Sequence, residues 1–286
     1  QIQLSVQELS NSSDPMLQML AELLIENAVD ENLLIDLKSL MQNVDSNNLL
    51  RDLNSSVQDY SMESASKELE SLSTRILGKS DRILDYCSGE GSFLSFYGST
   101  FPESRLFGIE ILENHYLSSV INLNLQGFDH KIFHEDAIQE NSLFKNGYEF
   151  DRIYSNFPIN LVNRNANDSQ PNLDYLKKYQ FTGQKQHDNN WLFVTHVVNL
   201  LSHQGKAVVI APLMMLYRES QKSIRDDYLE KGLVEAIIQL PDRTLNYVSI
   251  PMALLVLSPN NKEVRLVDAT DAYTKGTHTN HLDNDL

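Results

Sequence analysis

The run Arg82-Ile83-Leu84-Asp85-Tyr86-Cys87-Ser88-Gly89-Glu90-Gly91-Ser92-Phe93-Leu94 decides the fold. Arg82 to Tyr86 reads as a short strand, the two glycines as a tight turn, and Ser92 onward as the start of a helix. The same scheme then repeats. Further β-rich runs fall at Arg105–Glu110, Lys131–His134, Asp151–Ser155, Lys206–Ala211, Val234–Leu240, Met252–Leu257 and Val264–Val267, with helical segments between most of them. Such alternation predicts an α/β fold built on a mostly parallel sheet of seven to eight strands. Runs such as Val208-Val209-Ile210 and Leu254-Leu255-Val256-Leu257 are almost unbroken in apolar residues, as strands covered on both faces are. Only Ser258 to Glu263 separates the last two runs, too little chain for a parallel crossover, so a C-terminal antiparallel hairpin in a mixed sheet is expected.

Ahead of this region the spacing is helical. Asp14 and Pro15 suit an N-cap and first helical position, and Met16, Leu17, Leu20, Leu23 and Leu24 follow at intervals of three and four. A second apolar face carries Leu33, Leu34, Leu37, Leu40 and Met41, and a third helix, Glu63 to Leu77, stops at Gly78. Two domains are therefore expected: a helical one over 1–77 and an α/β one over 78–286. The former, with its acidic exterior, is expected to dock a partner.

Composition narrows the function classes. The 286 residues are 41% hydrophobic and 22% charged, which indicates a folded chain. Lys and Arg number 23 against 39 Asp and Glu, a net charge of −16 that repels polyphosphate and argues against autonomous, non-specific nucleic-acid binding. With Cys87 as its one cysteine the chain has neither an intramolecular disulfide nor a cysteine-based zinc site, and no apolar run has the length of a membrane span. A cytoplasmic protein is expected.

The Gly89/Gly91 turn lets a ligand approach the backbone closely. Glu110, at the end of the second strand, stands about where a carboxylate meets ribose hydroxyls in this architecture. Leu94 occupies the place of a third glycine, so the close pyrophosphate approach of a nicotinamide dinucleotide is not supported. Asp85 precedes the glycines and suits a cationic or amine-bearing ligand, which S-adenosylmethionine is. Asp136 closes the third strand on the same edge, with a helix N-cap as the alternative reading.

The fourth strand ends in Ser155-Asn156-Phe157-Pro158-Ile159. With these residues the chain resembles amino-group DNA methyltransferases, whose fourth-strand motif reads Asn/Asp-Pro-Pro-aromatic. Downstream, Gly205 to Pro212, Ile224-Arg225, Gly232 to Pro241 and Ile250-Pro251 with Leu254 to Leu257 are similar to the N6-adenine methylase subunits of type I restriction-modification systems. The resemblance implies a Rossmann-like methyltransferase fold that transfers a methyl group from S-adenosyl-L-methionine to the exocyclic amine of a flipped adenine. It implies catalytic roles for Asn156, Phe157 and Pro158, and cofactor binding by Asp85, Cys87, Gly89, Gly91, Glu110, Asp136 and Tyr60. It also implies a specificity subunit, and a restriction subunit, as partners through which double-stranded DNA is reached.

The chemistry explains the motif. An adenine amine is a poor nucleophile because its lone pair is conjugated with the ring; a side-chain and a backbone carbonyl accepting its two N–H bonds would localise that pair. The base must first be flipped out of the duplex. Here Phe157 replaces the first proline and Ile159 the aromatic, so Phe157 is the ring left to stack a base, an interaction worth roughly 1–3 kcal/mol. Tyr60-Ser61-Met62 lacks the Thr-Pro that follows the aromatic in relatives, and Cys87-Ser88 alters the Asp-Pro-Ala-Cys-Gly pattern. A catalytically weakened, cofactor-binding scaffold is thus the alternative to an active enzyme. The polar stretch 160–190 reads as a long solvated loop, with phosphate contact by Lys177, Lys178 and Lys185 as the alternative.

Overall fold

The computed structural model describes residues 65–159, 174–179, 189–245, 248, 250–276 and 280–283. The two helices expected before residue 61, Tyr60 and Lys185 lie outside them. The described residues fall in one compact unit, Ser61–Leu286.

Helix α1 (Lys67–Leu77) starts at the N-cap Ser66, whose Oγ accepts from Leu69 N–H at 3.3 Å, and ends on Gly78 at φ 68°. There follow β1 (Arg82–Tyr86), α2 (Ser92–Thr100), β2 (Arg105–Glu110), α3 (Glu113–Leu125), β3 (His130–His134), the short α4 (Ser142–Lys145) and β4 (Phe150–Ser155). The second half holds α5 (Asn189–Leu200), β5 (Leu201–Pro212), α6 (Lys222–Glu230), β6 (Val234–Gln239), β7 (Met252–Leu257), β8 (Arg265–Asp268) and a separate antiparallel pair, β9 (Tyr273–Thr274) with β10 (His281–Leu282). No helix among the described residues is long and apolar enough to cross a membrane.

The main sheet has eight strands in the order β3-β2-β1-β4-β5-β7-β6-β8. Leu69, Leu72 and Leu77 of α1 pack with Phe93 and Tyr97 of α2 over one face; Val194, Val197 and Val198 of α5 and Tyr228 of α6 cover the other. Burial of these apolar faces on both sides is what the unbroken Val and Leu runs require. Helix α1, read from its spacing as part of the helical front, supplies core to this sheet.

The expected hairpin is corrected in one respect. β7 is the antiparallel strand that makes the sheet mixed, but its two edges are taken by β5 (Val209↔Leu255) and β6 (Ile237↔Leu255). With no free edge beside it, the following strand passes to the far side of β6 and pairs there in parallel, Ile237↔Leu266.

Candidate active site

Asp85 pairs in register with Gly108 of β2 on one side and Tyr154 of β4 on the other, which brings the carboxyl ends of these strands together. The chain order reverses between β1 and β4, and ligands of open α/β sheets bind outside the carboxyl ends at such a point. Asp85, Glu110, Asp136 and Asn156 all lie at this edge, near the ends of β1, β2, β3 and β4 respectively.

The β1–α2 turn takes a left-handed φ three times, at Cys87 (81°), Gly89 (52°) and Gly91 (78°). Cys87 does so with a side chain, at a cost of about 1–2 kcal/mol. At Gly91 a side chain would also be crowded: a Cβ there would stand 2.5 Å from Ser119 Oγ. A Cβ on Gly108 would meet Ser88 Oγ at 2.8 Å, so β2 runs hard against the turn.

Glu110 stitches the two turns together. Its Oε2 accepts from Gly89 N–H at 2.9 Å and its Oε1 from Leu112 N–H at 2.8 Å. A carboxylate offers about four acceptor positions, so capacity for further donors remains. Asp136 Oδ1 accepts from Ile138 N–H at 3.0 Å and closes a turn of its own. The N-cap of α4 is Asn141, whose Oδ1 accepts from Leu143 N–H, so the helix-cap alternative for Asp136 falls.

Asn156 is half-buried, and its position is fixed by Ser155, whose Oγ donates to Tyr86 O at 2.6 Å. Phe157 is 0% exposed and stacks on Phe193 of α5, ring centroids 4.9 Å apart and planes 5° from parallel. The expectation that its ring stands in for the missing base-stacking aromatic is therefore overturned: it shares a side with Ile153, as a two-residue period dictates, and that side is core. Pro158 is exposed and Ile159 packs toward the α1/α2 side. Lys178 does not take the phosphate-contact alternative at this edge. Its Nζ donates to Glu149 at 2.6 Å and to Leu201 O, where β4 and β5 begin, at the opposite edge of the sheet.

Three further residues belong to this edge and were not singled out by motif. Tyr86 is fully buried and its hydroxyl donates to Ala137 O, holding the Asp136 loop onto β1. Tyr154 stacks on Phe93 at 3.7 Å. Glu70, on the inward face of α1, accepts from Ser92 Oγ at the start of α2.

The edge is strongly negative. Burial, then the charges of Glu70 and Glu110, push the Asp85 carboxyl well above the usual range. Burial and the neighbouring Glu110, Asp85 and Asp136 likewise push up the Cys87 thiol, which is thereby kept from acting as a thiolate.

The N-6 DNA methylase family model matches residues 65–285. This chain belongs to that family. It is 24% identical over 242 residues to the type I restriction enzyme MpnII methylase subunit of Mycoplasma pneumoniae, covering 76% of this chain and 44% of that one. It is 24% identical over 211 residues to the MjaVIII methylase subunit of Methanocaldococcus jannaschii, covering 68% and 36%. The chain thus spans less than half the length of these two family relatives. The crystal structure of a type I restriction-modification methyltransferase subunit from Streptococcus thermophilus superposes with a TM-score of 0.68 at 21% identity, over 78% of this chain and 51% of that one. The fold is that of the methyltransferases.

Proposed function

We propose that the chain is the methyl-transferring part of a type I-like modification methylase, acting on the N6 amine of adenine in DNA. The observation that carries the reading is the gathering of Asp85, Glu110, Asp136 and Asn156 at adjacent strand ends in a chain of the N-6 DNA methylase family.

The residues fit S-adenosylmethionine. Asp85 Oδ1 is buried and accepts no hydrogen bond among the described residues, an acceptor suited to a cationic ligand. At Gly89, by contrast with Gly91, nothing stands within 4 Å of where a side chain would begin, so the turn is open there. Asp85, the 87–91 turn, Glu110 and Asp136 would hold the cofactor, which when bound supplies an electrophilic sulfonium methyl.

The chain's own work is positioning. Asn156 Oδ1 and the next peptide carbonyl offer two acceptors to an exocyclic amine, directing its lone pair away from the ring; Phe157 enters through that peptide. Ser155 and Tyr86 keep Asn156 at a fixed place beside β1, and pre-set geometry of this kind accounts for much of the rate of a two-reactant step. The net −16 charge favours reaching DNA through a specificity subunit, with a restriction subunit joining the same complex.

Methyl transfer from labelled cofactor to DNA, with the cognate specificity subunit present, tests the reading. Incorporation is expected, and Asn156→Ala should abolish it while cofactor affinity stays within a few-fold. The core placement of Phe157 together with Ile159 favours a second reading, a cofactor-binding scaffold. Saturable cofactor binding without any incorporation would establish the scaffold instead.

A further inference from the structure

A second buried carboxylate lies on the same side of the sheet as Asp85 and comes from a different element. Ile83 and Tyr154 face the α1/α2 side of the sheet, and Asp85, two residues on from Ile83 and in register with Tyr154, shares that side. There α1 lowers Glu70 onto the sheet. Glu70 is 5% exposed and Asp85 2%. Lys67, an exposed residue one turn back on α1, acts on Glu70, whereas the charges that act on Asp85 among the described residues are the carboxylates Glu70 and Glu110.

A third polar group points to a missing ligand independently of these acids. The Tyr154 hydroxyl, on a residue 2% exposed, has no hydrogen-bond partner among the described residues. It lies within electrostatic reach of both carboxylates, which with burial hold its pKa well above the ordinary value. A buried donor and a buried acceptor, Asp85 Oδ1, on the same side of the sheet and each without a partner among the described residues, cost stability and call for a guest group. Access exists at Ser92, which hydrogen-bonds Glu70 and is itself exposed, next to the Gly89–Gly91 turn.

We propose that Glu70, together with Asp85, receives the ammonium group of an amino-acid tail carried by the nucleoside ligand. The assignment rests on the cofactor reading above and adds to it a binding residue from α1. Two carboxylates in low dielectric repel each other, and an ammonium between them relieves the repulsion while satisfying acceptors on both. Tyr154 then hydrogen-bonds at the same site.

Calorimetry with S-adenosylhomocysteine and with its deamino analogue, identical except for the missing amine, tests this. In wild type the amine-bearing form should bind about tenfold to a hundredfold more tightly. Glu70→Gln, isosteric and uncharged, should collapse that preference to a few-fold while leaving affinity for the deamino analogue within about twofold. Loss of affinity for both ligands alike, or for neither, would overturn the role of Glu70 and leave the cofactor reading standing. Failure of the wild type to bind either ligand would remove both. Should Glu70→Gln not fold, as judged by its melting curve, wild-type titrations in two buffers of different ionisation enthalpy decide. Burial shifts both carboxyls towards the neutral form, so the amine should displace protons that the deamino analogue leaves in place, and equal release by the two ligands would refute the pair.

Discussion

Replacing Gly91 by alanine separates two costs that usually arrive together. At φ 78° any L-residue carries left-handed strain of about 1–2 kcal/mol. The new Cβ would also stand 2.5 Å from Ser119 Oγ and 3.2 Å from its Cβ, and Ser119 is buried in α3, so relief requires its hydroxyl to rotate and α3 to give by a few tenths of an ångström. Overpacking of this kind adds about 1–3 kcal/mol, for a total of roughly 2–5 kcal/mol. Gly89→Ala is the internal control: its φ is 52°, but nothing stands within 4 Å of its Cβ, so only the strain applies. Urea titrations of the two variants should differ by the overpacking cost alone, and melting temperatures by about 2–4 °C for each kcal/mol. Ser119→Gly placed in the Gly91→Ala background removes the two nearest atoms and should recover most of that difference. Equal destabilisation by the two alanines, or no recovery from Ser119→Gly, would show that contact between the turn and α3 does not fix the glycine.

Other perturbations read the rest of the edge. Tyr86→Phe deletes the hydroxyl that holds Ala137 O and should cost about 1–2 kcal/mol, with faster amide exchange confined to 136–141; uniform exchange acceleration would contradict a local anchor. The raised Asp85 pKa means the native state keeps a proton that the unfolded chain gives up near pH 4, so its stabilising effect is complete below that pH and disappears as pH climbs through the folded value. Asp85→Asn should therefore melt higher than wild type by a margin that widens from pH 4 towards neutrality in ligand-free protein, and a constant margin would argue against it.

Much of this edge was legible because its residues sit where short apolar runs end. Asp85, Glu110 and Asn156 each close a strand whose buried residues announce it, so their shared location follows from the order of strands. Glu70 escaped notice because α1 reads as an ordinary amphipathic helix. The signal was present, since Glu70, Ser73 and Thr74 recur at helical spacing in line with the apolar Leu77 and place a polar stripe on a buried side. Phe157 was misjudged as a stacking ring because motif comparison ignores side-chain direction; extending the two-residue period of β4 past Ser155 turns it into the core. The place of β8 could not be inferred from its seven-residue connection to β7, because connection length fixes strand direction and not which edge is vacant.

The insertion of β7 between β5 and β6 has a consequence for biogenesis. The ribosome releases β6 before β7, yet β6 touches β5 only through β7, every residue of which is buried. Until Met252–Leu257 emerges, the apolar margin of β5 and both margins of β6 stay open, and such unpaired strands invite pairing with other chains. Nascent or truncated chains ending before residue 252 should be the aggregation-prone species, and completion of the sheet is a late, non-local and therefore slow event.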